Sequence, residues 1–506
     1  MKVLQDAGYV AIHTAEIPNR NYRSLLIKNG FLKEVSKGWY IPSDPSEGAG
    51  DSTSWYSSYW DFCAKFLNNK YGAAWCLSAD QSLSMHAGNW SVPAQLFIRS
   101  PNGNNKPTPL PHHTSLFNMK TELPDQSQLI VEKGIRFYSL TGSLLYCSSG
   151  AFARNAIDAR TTLSMIKDAS ELLPDLLDNG HSKIGGRLAG AFRNIKRDKI
   201  ADQIIETMKD AGYDIREEDP FADKLDIDLS PRERSPFVNR IKLMWQQMRE
   251  TVIADFPKAP GLPEDHNSYL KNIDEVYLTD AYHSLSIERY KVTPELIERV
   301  SSGNWANKEN SEDKQQKDAM AARGYYQAFL VVKQTIATIL TNGKPGKEAD
   351  NDHQKWYRQL FDPSVAAGIL KVSDLAGYRN NQVYIGGSKH VPLSVEAMRD
   401  VMPILFELLE NEKEASVRAV LGHFIFVFVH PYMDGNGRIG RFLMNVMLAS
   451  GGYPWTVIPV EKRDEYMKAL ELASAEQDIR SFSKFISYLV TEGMKGKPLA
   501  HLPDKL

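Results

Sequence analysis

Cysteine is scarce in this chain of 506 residues: Cys63, Cys76 and Cys147 are the only three, and no CxxC pair occurs. An odd, scattered set supports neither a disulfide framework nor a thiolate zinc site. It reads as the chain of a reducing compartment, so a cytoplasmic location is expected. A charge excess is also missing. Sixty Lys and Arg stand against 62 Asp and Glu, for a net charge of −2. That balance argues against a polybasic nucleic-acid scaffold or an acidic tail. Long apolar runs are absent too. The densest, Phe424–Val429 (FIFVFV), is far too short to span a bilayer and reads as a buried helix. The opening MKVLQDAGYVAIHTAEIP has no long apolar stretch and does not read as a signal peptide. No membrane partner is expected, and no internal repeat or sustained heptad pattern appears.

What is present is ordinary globular material, 42% apolar and 24% charged. The length suggests about three domains. Asn19–Gly30 reads as a helix with Asn19 as its cap and Gly30 as its stop, followed by two short strands around Ser36-Lys37-Gly38. This is the layout of a winged helix-turn-helix. Six basic and three acidic side chains in residues 1–40 give it a local charge of +3. The expected organisation is a winged-helix-like region over 1–45, an α+β region over 46–150, a helical connector over 151–232 and a mostly helical remainder over 233–506. Pro101–His113 reads as a Pro/Asn-rich connector, and Gly186 and Gly190 as a tight stretch between helices. The acidic stretch 214–232 and the polar stretches Asn304–Lys317 and Gly343–His353 read as solvated loops.

One segment carries chemistry: His430-Pro-Tyr-Met-Asp434-Gly435-Asn436-Gly437-Arg438-Ile-Gly-Arg441. An apolar helix, Ala415–Val429, ends at a histidine followed by a proline that cannot continue it. Glycines then let the backbone turn and expose its N–H groups, and a second helix begins. A glycine loop feeding a helix N-terminus is an anion cradle. Arg438 and Arg441, at i and i+3, are placed to clamp phosphate oxygens. Asp434 is a hard carboxylate suited to Mg²⁺ beside phosphates, and His430 is a candidate general base. The combination specifies a nucleoside-phosphate transfer site.

The segment resembles the signature of the Fic family, HPFxDGNGRxxR, with Tyr432 at the usual Phe. The resemblance extends over about residues 235–492, with a core at about 362–495. It implies a mainly α fold: an all-α Fic domain with a small β-hairpin flap. It also implies transfer of AMP from ATP, with Mg²⁺, to a Ser, Thr or Tyr hydroxyl of a target protein, the chain itself included. His430 would be the base and Asp434 the metal ligand. Gly435, Asn436 and Gly437 would line the anion hole, and Arg438 and Arg441 would hold the β and γ phosphates. A phosphate-transferring branch carries Lys at the place of Gly437, which favours AMP transfer here. Gly377–Gly387 looks like the family's flap, whose Gln382, Val383, Tyr384 and Ile385 would pair with an extended segment of the target. Ile458-Pro459 and Arg463–Tyr466 resemble the segment after the active helices, with Met467 where a second aromatic is usual.

Ser284-Leu-Ser-Ile-Glu288-Arg289-Tyr290 resembles the family's inhibitory helix, (S/T)xxxE(G/N), in which the Glu pairs with the second motif arginine. Ser284 and Glu288 are therefore candidate regulatory residues, and Arg289 departs from the pattern. The plainer reading of Glu288 is a solvated residue or a structural ion pair. The N-terminal region resembles the winged helix of abortive-infection antitoxins, with Arg20, Arg23, Lys33 and Lys37 as candidate DNA contacts. The plainer reading of these four is a solvated face. A DNA-binding autoregulator with a dormant Fic half, or a Fic enzyme with another nucleotide donor, stands as the alternative, and a homodimer is allowed.

Overall fold

The computed structural model describes residues 10–503, apart from 18, 49, 179, 225–228, 230–234 and 303–312. The chain divides into two compact units: one runs up to Leu243 and includes Tyr384–Val391, the other comprises Met244–Val383 and Pro392–Leu506. The change of unit falls inside the helix Pro236–Asp255, beyond the acidic stretch at 214–232.

In the first unit, Asn19 caps the helix Arg20–Lys28 by accepting the N–H groups of Asn21 and Tyr22 at 3.0 and 3.2 Å. Gly30, at φ +74°, ends it. Trp39–Pro42 lies between Leu32–Ser36 and Ile12–His13 in a three-stranded antiparallel sheet. The helix Thr53–Tyr71 buries Trp55, Tyr59, Phe62 and Leu67 in a core shared with Trp39 and Ile41. A four-stranded sheet follows, in the order Cys76–Leu77, Gln95–Ser100, Thr114–Lys120, Lys106–Leu110.

The last of these strands lies within the stretch expected to be a connector. Pro107 and Pro109 obscure it in the sequence, but it is an edge strand, where a residue without an N–H leaves no central ladder broken. Gly186 and Gly190 likewise sit inside a helix, Ser182–Asn194, and not between helices. A Cβ at Gly186 would lie 1.9 Å from the carbonyl oxygen of Arg216, and one at Gly190 2.2 Å from that of Glu218, so glycine here admits a neighbouring backbone.

The second unit is helical. Ala415–Val429 is largely apolar, and every residue except Val427 is buried, Arg418 included. It packs against the helix Asn436–Ala449, where Gly440 permits the approach: a Cβ there would meet Val427 Cγ1 at 2.9 Å. His423 sits in this core and bonds Tyr466 Oη through Nε2 at 2.8 Å. Gly343–His353, expected as a loop, opens the helix Pro345–Ala366. Pro345 starts it, and Ala349, His353, Trp356, Tyr357 and Leu360 form its buried stripe beneath polar surface residues. The expected loop at 304–317 lies outside the described residues as far as 312, and Asp313 begins the helix Asp313–Leu340.

The segment Gly377–Gly387 carries no strand ladder. A turn closes through Ser388 N–H to the Ile385 carbonyl at 3.1 Å, and within the segment Arg379 Nη1 donates to the Asn381 carbonyl and Gln382 Nε2 to that of Val383. Gln382 Nε2 donates to the Pro392 carbonyl at 2.8 Å. Within the first unit, Gly387 N–H donates to Thr53 Oγ1 at 3.1 Å, and the Lys389 carbonyl accepts Val92 N–H at 2.8 Å. With its groups engaged in this way, the flap segment has no internal cross-strand pairs. Among the described residues no helix is long and apolar enough to cross a membrane.

Asp158 and Arg240 form an ion pair in the first unit, 2.5 Å apart and each 1% exposed. Removing one partner of such a pair strands a buried charge, at a cost of about 3–5 kcal/mol. Asp158→Ala should lower the stability of the first unit by about that amount in chemical denaturation. A loss under about 1 kcal/mol would contradict this account of the pair.

Candidate active site

The apolar helix ends where His430 adopts a left-handed conformation, φ 55° and ψ 60°. A residue with a Cβ is held there at a cost of about 1–2 kcal/mol, so its surroundings must impose the geometry. Arg379 does much of this. It is 2% exposed, and its Nε donates to the His430 carbonyl at 2.8 Å, its Nη1 to that of Asn381 at 2.9 Å and its Nη2 to that of Leu393 at 2.5 Å. Its own N–H donates to the Pro431 carbonyl at 2.9 Å. The imidazole Nδ1 lies 3.1 Å from the Val427 carbonyl. A carbonyl only accepts, so Nδ1 carries the proton and Nε2 the lone pair. Burial drives the imidazole pKa down to about 4; the Val427 contact opposes this and Arg379 adds to it. His430 is therefore a neutral acceptor at physiological pH.

The turn after it is pinned from inside. Asn436 Oδ1 accepts Tyr432 N–H at 2.9 Å, and its Nδ2 donates to the Tyr432 carbonyl at 2.8 Å. Asn436 thus directs its side chain into the turn, and what it offers an anion is its backbone N–H. The Tyr432 ring is buried and stacks on Tyr357, with centroids 3.9 Å apart and planes 6° from parallel. Gly435, at φ +80°, starts the second helix, and a Cβ there would lie 2.9 Å from the Phe361 ring. The first intrahelical bond is Ile439 N–H to the Gly435 carbonyl at 3.0 Å. The N–H groups of Asn436, Gly437 and Arg438 precede it, and no side chain caps this end. The Asp434 side chain is 67% exposed; its Oδ1 accepts Gly435 N–H at 2.6 Å and stands 3.5 Å from Arg438 Nη2.

Both motif arginines are buried. The Arg438 guanidinium lies between two rings, 4.9 Å from the centroid of Phe361 and 5.2 Å from that of Tyr290. Arg441 donates through Nε to Ser284 Oγ at 2.9 Å, and through Nη2 to the Ser284 carbonyl at 3.0 Å and to Glu288 Oε1 at 2.8 Å. Burial alone would raise the Glu288 carboxyl, but Arg441, Arg438 and Arg463 outweigh it and hold the pKa below the usual carboxylate range. A Cβ at Gly437 would come within 2.4 Å of Glu288 Oε1, so glycine leaves room for the carboxylate.

Glu288 terminates the helix His266–Ile287 in a Schellman motif. Arg289 N–H donates to the Ser286 carbonyl at 2.9 Å and Tyr290 N–H to that of Leu285 at 3.1 Å. Arg289 occupies the left-handed position, φ +65°, which Gly or Asn adopts with little strain. Arg463 Nε donates to the terminal Ile287 carbonyl at 2.8 Å. Two turns further back Asp280 is buried, with its pKa raised to about 6 by that burial, and accepts Tyr325 Oη at 2.6 Å. Sequence reasoning missed Asp280, Tyr325 and the role of Arg379. The four-residue spacing of Asp280, Ser284 and Glu288 was the available signal for the first.

Gln382 and Val383 belong to the second unit, Tyr384 and Ile385 to the first. Arg20 and Lys37 are exposed, Arg23 Nη1 reaches the Ile17 carbonyl at 3.5 Å, and Lys33 pairs with Glu47. Among the described residues no three acidic, His or Cys side chains gather as a metal cluster.

Residues 350–448 match the model of the Fic/DOC family. Over 273 residues the chain is 41% identical to the protein adenylyltransferase Fic of Drosophila ananassae and 31% identical to that of Drosophila willistoni. Each match covers 52% of this chain and 51% of the relative, so the chain spans about half the length of these curated proteins. Among solved structures, Fic-1 of C. elegans aligns at 16% identity and a TM-score of 0.36, covering 69% of this chain and 97% of that one. A Fic domain-containing signaling protein from Bacteroides thetaiotaomicron aligns at 18% identity and a TM-score of 0.34, covering 53% and 100%. The family match is confined to residues 350–448, which include the turn between the two motif helices.

Proposed function

We propose that the chain is a protein adenylyltransferase that moves AMP from ATP to a Ser, Thr or Tyr hydroxyl of a protein, itself included, and that Glu288 restrains it. The observation that carries this reading is a neutral His430, with Nε2 free to accept a proton, on the same turn as an uncapped helix N-terminus. The relatives named protein adenylyltransferase support it. In the reaction the hydroxyl oxygen bonds to the α-phosphorus of ATP, the bond to the bridging oxygen breaks, and pyrophosphate leaves. The hydroxyl proton passes to His430 Nε2. The N–H groups of Asn436, Gly437 and Arg438 face the charge on the phosphate oxygens. Arg438 and Arg441 hold the β and γ phosphates.

Asp434 fits a magnesium ion that is bound largely through phosphates and water, since such sites need only one or two carboxylates. When bound, that ion would neutralise phosphate charge. Gly437 supports AMP over phosphate as the group transferred, since the phosphate-transferring branch that the motif resembles carries lysine at this place.

Incubation with α-labelled ATP tests the reading. Glu288→Gly should raise labelling of the chain or a partner at least about tenfold, and adding His430→Ala should lower it by about 100-fold or more. Labelling that survives without the imidazole rejects the mechanism. Label competed by another nucleoside triphosphate but not by ATP changes the donor.

The pH profile follows from the two shifts. His430 has a lowered pKa, so it stays a neutral base until pH falls to about 4. Labelling by Glu288→Gly should be flat from about pH 8 to 5 and then drop. The Glu288 pKa is also lowered, so its ion pair is intact above the ordinary carboxylate value of 4.5 and is lost only below it. Initial rates of the unmodified chain should therefore show no release of restraint between about pH 8 and 5. A rise between pH 7 and 6 would contradict this.

Arg289→Gly should relieve about 1 kcal/mol of strain at the end of the inhibitory helix. Its expected signature is a labelling rate several-fold below that of the unmodified chain, together with a higher melting temperature.

A further inference from the structure

Glu288 hydrogen-bonds the second of the two motif arginines and acts on the first only through its charge. The first, Arg438, is 1% exposed, yet its Nε has no hydrogen-bond partner among the described residues, and its carboxylate neighbour Asp434 stands 3.5 Å from Nη2. What covers this guanidinium is the pair of rings of Phe361 and Tyr290, and the two rings differ in origin. Phe361 belongs to the long helix Pro345–Ala366. Tyr290 is two residues beyond Glu288, and its N–H makes the bond to Leu285 that closes the end of the inhibitory helix. The helix end that aims Glu288 at Arg441 therefore also lays Tyr290 on Arg438.

We propose that the inhibitory element is a double latch, in which Glu288 holds Arg441 by charge and the Tyr290 ring holds Arg438 by covering its face. The inference rests on the transferase reading for the role of the arginines, and it adds Tyr290 as a regulatory residue. Cation–π contact explains why a buried guanidinium with an unused donor is tolerated in the closed state. A triphosphate would supply the oxygens this donor lacks, but only once the ring has moved. Because one cap sets both contacts, loosening either should loosen the other.

The test is ATP affinity, measured by calorimetry with Mg²⁺ on the full chain in a His430→Ala background, where transfer cannot consume the nucleotide. Tyr290→Ala should tighten ATP binding roughly 5- to 30-fold, the range expected for one desolvated cation–π contact. Tyr290→Phe, which keeps the ring but loses the hydroxyl that accepts from Arg438, should tighten binding less than Tyr290→Ala does. In a Glu288→Gly background the gain from Tyr290→Ala should shrink, since the shared helix end is already released. Weaker binding by Tyr290→Ala would overturn the latch and make Tyr290 a residue that positions Arg438 for the nucleotide. An unchanged affinity, or equal gains in both backgrounds, would also overturn it. Should the alanine variant fail to fold, Tyr290→Leu keeps bulk without a π face and is expected to match the predicted gain. Labelled-ATP transfer with His430 restored is read separately, so loss of the transferase reading and loss of the latch give different results.

Discussion

A guanidinium taken out of water must be given acceptors, and at Arg441 the second unit supplies three from one helix. Two are on Ser284 and one is the Glu288 carboxylate. The Arg441 side chain is 5% exposed, so it cannot fall back on solvent when one of these leaves. This constraint links the helix His266–Ile287 to the helix Asn436–Ala449 more firmly than a surface ion pair could. Two unit charges 4 Å apart interact by about 4 kcal/mol at an effective dielectric of 20. Moving an equilibrium from 1:99 to 99:1 takes about 5.5 kcal/mol. One carboxylate at that distance is thus of the size needed to bias a two-state equilibrium.

The same helix face continues the network inward. Asp280, Ser284 and Glu288 recur every four residues, so they share one side of the helix. Tyr325 donates to Asp280 from the neighbouring helix Asp313–Leu340. Arg463 covers the last carbonyl at the other end. The helix is therefore gripped at both ends of its functional face, while Glu288 itself remains one-third exposed. A residue so placed can be held strongly in the closed state and still be reached by a competing anion.

The sequence made the centre of the site legible because local chemistry dictates it. A proline stops the apolar helix, glycine turns the chain, and the spacing of two arginines follows the next helix. The family resemblance pointed to Glu288 for the same reason: serine and glutamate four residues apart must share a face. What stayed hidden depended on partners distant in the chain. Arg379 lay in a stretch expected to be a flap hairpin, yet it is the buried support of His430. Asn436 was expected to line the anion hole, and the turn it closes draws its side chain inward so that only its backbone N–H is offered there. The edge strand with two prolines and the glycines inside Ser182–Asn194 broke propensity rules that tertiary packing overrode.

Tyr432 shows how far a motif position can drift while its physical role persists. The ring packs face to face on Tyr357 and also lies near Tyr378 and His353. The hydroxyl has no hydrogen-bond partner among the described residues, although the residue is fully buried. An unpaired buried hydroxyl costs roughly 1–3 kcal/mol, whereas an aromatic stack returns about 0.5–1.5 kcal/mol beyond burial. The hydroxyl is thus tolerated, not used; what the ring supplies is its stack on Tyr357. Since Asn436 bonds only the Tyr432 backbone, the position is specified by its main chain and by ring shape, and the phenol adds nothing to the chemistry at His430.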